Sequence, residues 1–243
     1  MDFYLIEILI VILLSIFQSV FGIGLLLYGT PLFLLLGNDF FYSLNILLPI
    51  SMTISFLQIR NRKVSFKTDF LKLFNFITLP VLILTLIILI FNYKNINIVF
   101  IVSLVIIFFS IINIFFKKKF SIFFKNNMVK KLVFVSIGLI HGLTNLGGSL
   151  LAIASTQMNK SKEVTRYCVA YGYLIMGFIQ LIVIFLFSEN QFVFSRIYMI
   201  IIPILIYKPS QKVFFKFSHI EFSSILNIIA LLFGLYLLIN LIY

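Results

Sequence analysis

The stretch IHGLTNLGGSLLAIAST, Ile140 to Thr156, lies inside a long apolar run, yet it holds one histidine, one asparagine, three glycines and four hydroxyl side chains. A continuous membrane helix has no use for Gly147 and Gly148 side by side, because glycine gives up the most backbone freedom on ordering and packs no side chain. The pair permits positive φ and predicts a break. In hydrocarbon an interrupted backbone is tolerated only where protein or a water-lined cavity surrounds it. A helix restarting there aims free N–H groups and the positive end of its dipole into that space, which suits an anion. Ser149 is expected to cap the restarted helix, with Thr144 and Asn145 completing the ligation. The competing reading is that these glycines only let helices approach closely.

Composition identifies the surroundings of this segment. The 243 residues are 62% hydrophobic and 11% charged, with 31 phenylalanines and no tryptophan. These values describe a chain built to face lipid. Apolar runs recur at about 3–36, 40–59, 70–91, 96–116, 132–158, 167–188, 192–207 and 222–242, and a span needs about 20 such residues. The polar gaps are connector-length, so residues 1–243 read as one all-α, polytopic membrane domain. The start, MDFYLIE, lacks the basic region of a cleaved leader, so the first segment is expected to remain. Cys168 stands in an apolar run as a buried, inert thiol. The net charge of +12 sits beside the spans, where it orients loops, and does not indicate nucleic-acid binding.

The first apolar run repeats the design of the opening stretch. Phe3 to Leu36 is too long for one span and too short for two, and FGIGLLLYGTP places Gly22 and Gly24 at the turn-back point, with Thr30 on the returning leg. Sliding the sequence over itself by 123 residues lays Gly24 on Gly147, Pro80 on Pro203, and LPVLI on IPILI. A tandem duplication follows, with repeat 1 at about 3–116 and repeat 2 at about 130–242.

Basic residues test the topology. If all eight segments cross, the best orientation places 12 of 19 lysines and arginines on one side; if the first and fifth are re-entrant hairpins, 17 of 19 fall there, leaving Lys94 and Arg196 opposite. The hairpin arrangement gives about six full spans plus two re-entrant helical hairpins, and an odd number of crossings per half makes the duplication an inverted repeat. Eight plain spans with scattered basic anchors is the alternative.

Two further side chains bear on chemistry. His141, just before the second break, is suited to carry a coupling proton or to serve as a neutral hydrogen-bonding group. Arg166, behind NKSKEVT, reads as a funnel for anions or as an interfacial anchor. Pro80 and Pro203 are expected to kink their helices.

At these residues the chain resembles the TauE/SafE, or sulfite-exporter, family of bacterial membrane transporters. The likeness runs over nearly the whole length: FGIGLLLYGTPLFLLLG (21–37), RNRKVSFK (60–67), HGLTNLGGSLLAIAST (141–156), NKSKEVTR (159–166), and a proline-containing seventh segment leading to FGLYLLI (233–239). The resemblance implies a multi-pass protein of a bacterial cytoplasmic membrane that exports a small anion such as sulfite or an organosulfonate. Where the family carries more glycine in the first hairpin this chain has Leu25 and Leu26, so the first tip is expected to contribute less. The residues expected to form the substrate site are Gly22, Gly24, Thr30, His141, Thr144, Asn145, Gly147, Gly148, Ser149 and Arg166. No cofactor or metal is expected, and the partners are the anion, lipid and a coupling proton. A membrane-embedded enzyme, which needs a cluster of ionisable groups at one depth, and a transport-inactive scaffold are the competing classes.

Overall fold

The computed structural model describes residues 3–60, 68–115, 124, 126–159, 161–188 and 194–214, with short pieces at 231–232, 235–236 and 238–239. His219, most of the eighth expected segment, nearly all of RNRKVSFK and about half of the basic connector residues lie outside these. Every regular element among the described residues is helical: α1 (Phe3–Phe21), α2 (Leu25–Leu35), α3 (Phe40–Arg60), α4 (Thr68–Leu73), α5 (Leu79–Asn92), α6 (Ile98–Phe115), α7 (Asn127–Thr144), α8 (Gly148–Met158), α9 (Lys162–Phe187) and α10 (Ile201–Phe214). Four stretches, Tyr4–Phe21, Phe40–Arg60, Asp69–Asn95 and Glu163–Phe187, are long and apolar enough to cross a membrane. This is the architecture of a helical membrane protein.

The helix limits have local causes. Gly37, at φ 80°, ends α2 in a Schellman motif, with Asn38 N donating to Phe33 O at 3.1 Å and Gly37 N to Leu34 O at 3.0 Å. Asp39 then caps α3, its Oδ1 accepting from Phe41 N at 2.8 Å, and Asn126 and Ser161 cap α7 and α9 through Met128 N and Val164 N. Pro80 and Pro203 sit where helices change register. A π-helical stretch, Phe74–Thr78, precedes α5, and a 3-10 stretch, Phe194–Ile200, precedes α10, because a residue without an N–H breaks the regular ladder.

Both expected breaks are present, at matching positions. The first helix of each pair ends at Phe21 and Thr144, the second begins at Leu25 and Gly148, and it ends at Leu35 and Met158. Each pair of positions is 123 residues apart, the offset of the sequence self-match. In both pairs the second helix turns back along the first. Asn38, just beyond α2, donates from Nδ2 to Glu7 Oε1 near the start of α1 at 3.1 Å. Met158, at the end of α8, shares a cavity wall with Asn127 and Lys130 at the start of α7.

The two hairpins open at opposite ends of the molecule. The mouth of the first lies beside Tyr93 after α5, which donates to Asp39 Oδ2 at 2.6 Å, and beside Arg196, whose Nη1 is 3.6 Å from Glu7 Oε2. The mouth of the second lies beside Asp69 and Lys72 of α4. These ends are separated by the length of the Asp69–Asn95 helix, roughly 40 Å at 1.5 Å per residue.

Packing between helices relies on small residues and aromatic rings. The most extensive contact is between α3 and α9, where a Cβ on Gly177 would press on Met52. Gly138 and Gly142 of α7, four apart, seat that helix against the backbone of α5, and Thr78 Oγ1 donates across the contact to Phe134 O at 2.9 Å. Lipid tails are as apolar as leucine, so close van der Waals fit and interhelical hydrogen bonds hold such helices together. Phe108, Phe185 and Leu205 are correspondingly exposed on the outside.

Candidate functional site

The second break is built by Asn145. It occupies the left-handed region at φ 64° and ends α7 by donating its N–H to His141 O at 2.9 Å. Its side chain crosses to the first hairpin, where Nδ2 donates to Thr30 Oγ1, in the second turn of α2, at 3.0 Å. Both residues are fully buried. Two broken segments 115 residues apart in sequence are thus joined by one side-chain hydrogen bond. Thr30 lies five residues into α2, so the second tip reaches about 8 Å past the first break at 1.5 Å per residue. The hairpins overlap side by side.

The expectation for the glycines needs correction. Gly147 has φ −63° and Gly148 begins α8 in helical geometry, so neither supplies a positive φ. Their requirement is steric: a Cβ on Gly147 would meet His141 Cβ at 2.6 Å and Ile137 O at 2.7 Å, and one on Gly148 would fall on the Tyr173 hydroxyl. Positive φ falls on Asn145 at this break, and on Gly22 (80°) and Gly24 (133°) at the first. Ser149 is also not the cap. Gly147 holds that position without a side-chain bond, and Ser149 Oγ donates to Leu146 O at 3.3 Å. The Thr144 hydroxyl is engaged locally, donating to Ile140 O at 2.7 Å and accepting from Leu146 N at 3.3 Å.

Thr30, His141, Thr144, Asn145, Gly147, Gly148 and Ser149 therefore gather at the second tip. Two buried polar atoms there have no hydrogen-bond partner among the described residues, Asn145 Oδ1 and the Tyr173 hydroxyl. Gln180 of α9 joins them, its Nε2 donating to His141 O at 3.3 Å and its side chain meeting the His141 ring. Buried polar groups are ordinarily satisfied, so such a cluster marks a place where a further polar partner fits. The first turn of α8, whose N–H groups have no intrahelical acceptors, faces the same neighbourhood.

Gly22 and Gly24 are at the first break, Gly22 against Arg166 and Gly24 against Phe17. Arg166 is 8% exposed; its Nη2 donates to Ser19 O at 2.5 Å and to Gln211 Oε1 at 3.0 Å. Gln211 Nε2 donates to the same Ser19 O at 3.1 Å, and a Cβ on Gly22 would press on Arg166 Cγ at 3.2 Å. The guanidinium thus ties α1, α9 and α10 together below the first break. Beside it Gln18 Nε2 donates to Ser51 Oγ at 2.9 Å and Gln58 Nε2 to Gln18 O at 2.9 Å.

Tyr173, Gln180, Gln18, Gln58 and Gln211 are contributors that the sequence reading passed over. Four of them are glutamines, and for Gln18, Gln58 and Gln180, which stand in apolar runs, an intramembrane polar side chain is itself a signal. Cys168 is buried and accepts from Asn159 Nδ2 at 3.6 Å. Among the described residues no three His, Cys, Asp or Glu side chains gather as metal ligands. The chain matches no family model, no curated protein and no solved structure. The likeness to the TauE/SafE family therefore rests on the motifs alone.

Proposed function

We propose that this protein is a secondary transporter of a small anion, with the substrate held at the second broken-helix tip between α7, α8, α9 and the second turn of α2. The observation that carries this reading is the Asn145–Thr30 hydrogen bond, which joins two oppositely opening broken hairpins beside unpartnered buried polar atoms. Inverted repeats with discontinuous helices are a recurring transporter design, since two mirror-related halves support inward-open and outward-open states of similar energy. The matching break positions and opposite mouths fit six spans and two re-entrant hairpins better than eight plain spans. Sulfite and organosulfonates are the first substrates to test, export across a bacterial cytoplasmic membrane is the expected direction, and His141 serves either as a proton carrier or as a neutral hydrogen-bonding group. An enzyme or a passive scaffold gives less account of a polar cluster at a backbone break.

The test is uptake into proteoliposomes after a binding screen of sulfite, thiosulfate, sulfonates and carboxylates. Gly148→Leu abolishes transport by filling the space at the start of α8. Asn145→Leu removes the bond to Thr30 together with one hydrogen bond to a charged ligand, the latter worth roughly 1.5–3 kcal/mol, and weakens apparent affinity about tenfold to over a hundredfold. Normal transport by both variants at wild-type insertion would overturn the reading.

A further inference from the structure

At the basic end, between α4, the start of α7 and the end of α8, lies an open cavity of about 320 Å³. Lys72, Lys130 and Lys131 line it, with Asp69 and Asn127. Among the described residues that line it, three positive charges against one negative leave the cavity net positive. Among the described residues none of the three lysines is in an ion pair; Lys130 Nζ donates only to Asn127 Oδ1, at 3.2 Å. The remaining wall is apolar, Leu73 and Met158. Its volume is about ten times the ~30 Å³ share of a liquid water molecule, room for a phosphodiester and the alcohol attached to it.

We propose that this cavity binds the headgroup of an anionic phospholipid. The surface leading away from it selects lipid over a free anion. Phe76, one turn below Lys72 on the same helix face, is 79% exposed. An exposed apolar side chain at i+4 from a cavity lysine carries apolar surface down that helix from the cavity. A headgroup among the lysines thus lays its acyl chains along surfaces already apolar. Basic cavities between membrane helices at the headgroup level recognise anionic lipids in this way. A zwitterionic lipid brings one positive charge of its own, which cancels its phosphate, and loses the electrostatic gain. This site is independent of the transport proposal and survives its failure.

The experiment titrates the full-length purified protein in neutral detergent with phosphatidylglycerol or phosphatidylcholine, following bound lipid by native mass spectrometry. Phosphatidylglycerol is expected to bind at least about tenfold more tightly. Lys130→Gln with Lys131→Gln lowers that affinity about thirtyfold, at about fivefold per lysine, whereas the charge-matched pair Lys208→Gln with Lys212→Gln on α10 changes it less than about threefold. In the wild-type protein a photoreactive phosphatidylglycerol crosslinks to α4 or α7, a result that needs no variant to fold. The proposal is overturned if both lipids bind alike, if both lysine pairs weaken binding equally, if millimolar inorganic phosphate displaces the lipid completely, or if the crosslinks fall elsewhere.

Discussion

Asn145 and Gly22 stand 123 residues apart and end their helices in the same left-handed backbone conformation, at φ 64° and 80°. Glycine adopts it without cost, and asparagine is among the few other residues that visit it routinely. Asparagine is retained where its side chain also reaches Thr30. Asn145→Gly should therefore lose only the hydrogen bond, about 1 kcal/mol, while Asn145→Ala adds a left-handed penalty of roughly 1–2 kcal/mol. Equal unfolding midpoints for the two variants in detergent would contradict this account. A second residue-scale prediction concerns Gly148. Adding a methyl there drives it into Tyr173, an overpacking cost of about 1–3 kcal/mol. Combining Gly148→Ala with Tyr173→Leu should cost less than the sum of the two single changes by at least about 0.5 kcal/mol; strict additivity would show that Tyr173 is not what excludes the side chain.

Two hairpins of similar build are held differently at the level of elements. The second packs its long leg against α5 through Gly138 and Gly142 and packs its short leg on α9, where a Cβ on Gly172 would meet Leu151. The first depends on Arg166, which lies 147 residues from the Ser19 carbonyl it binds. Arg166→Met should destabilise the protein by roughly 1.5–3 kcal/mol, the range for hydrogen bonds from a charged donor. The loss should be local. Hydrogen exchange of amides at 20–24 is expected to accelerate while amides at 145–148 keep their protection, since Asn145 and Gly148 are packed by other side chains. Uniform acceleration at both breaks would mean that Arg166 supports the whole bundle.

For the whole molecule, charge and direction coincide. Lys94 and Arg196 stand at the end where the first hairpin opens, and Lys72, Lys130 and Lys131 at the end where the second opens. The excess of lysine is expected on the cytoplasmic side. In a Cys168→Ala background, an impermeant maleimide is expected to label Lys94→Cys and Arg196→Cys from outside intact cells. Lys131→Cys, Glu163→Cys and Lys212→Cys should react only after permeabilisation. Labelling of Glu163→Cys from outside would restore eight plain spans and remove the re-entrant second hairpin.

Much of this arrangement was legible in the amino-acid sequence because its causes are local. A helix in lipid satisfies its own backbone, so long apolar runs announce the helices, and glycine clusters, prolines and the 123-residue offset located the breaks and register changes without knowledge of any neighbour. What each break residue does depends on its surroundings. Gly147 and Gly148 look like conformational glycines, but His141 and Tyr173 make them steric ones, and a serine placed to cap α8 donates to the preceding turn. Arg166 reads as an anchor or a funnel by its position, yet its partners come from α1 and α10. In hydrocarbon, apolar content does not rank one helix face above another, so the choice of neighbour falls to shape and polar pairing between side chains far apart in the chain. That is why the tertiary structure alone set Asn145 on Thr30 and brought Gln180 to the second break.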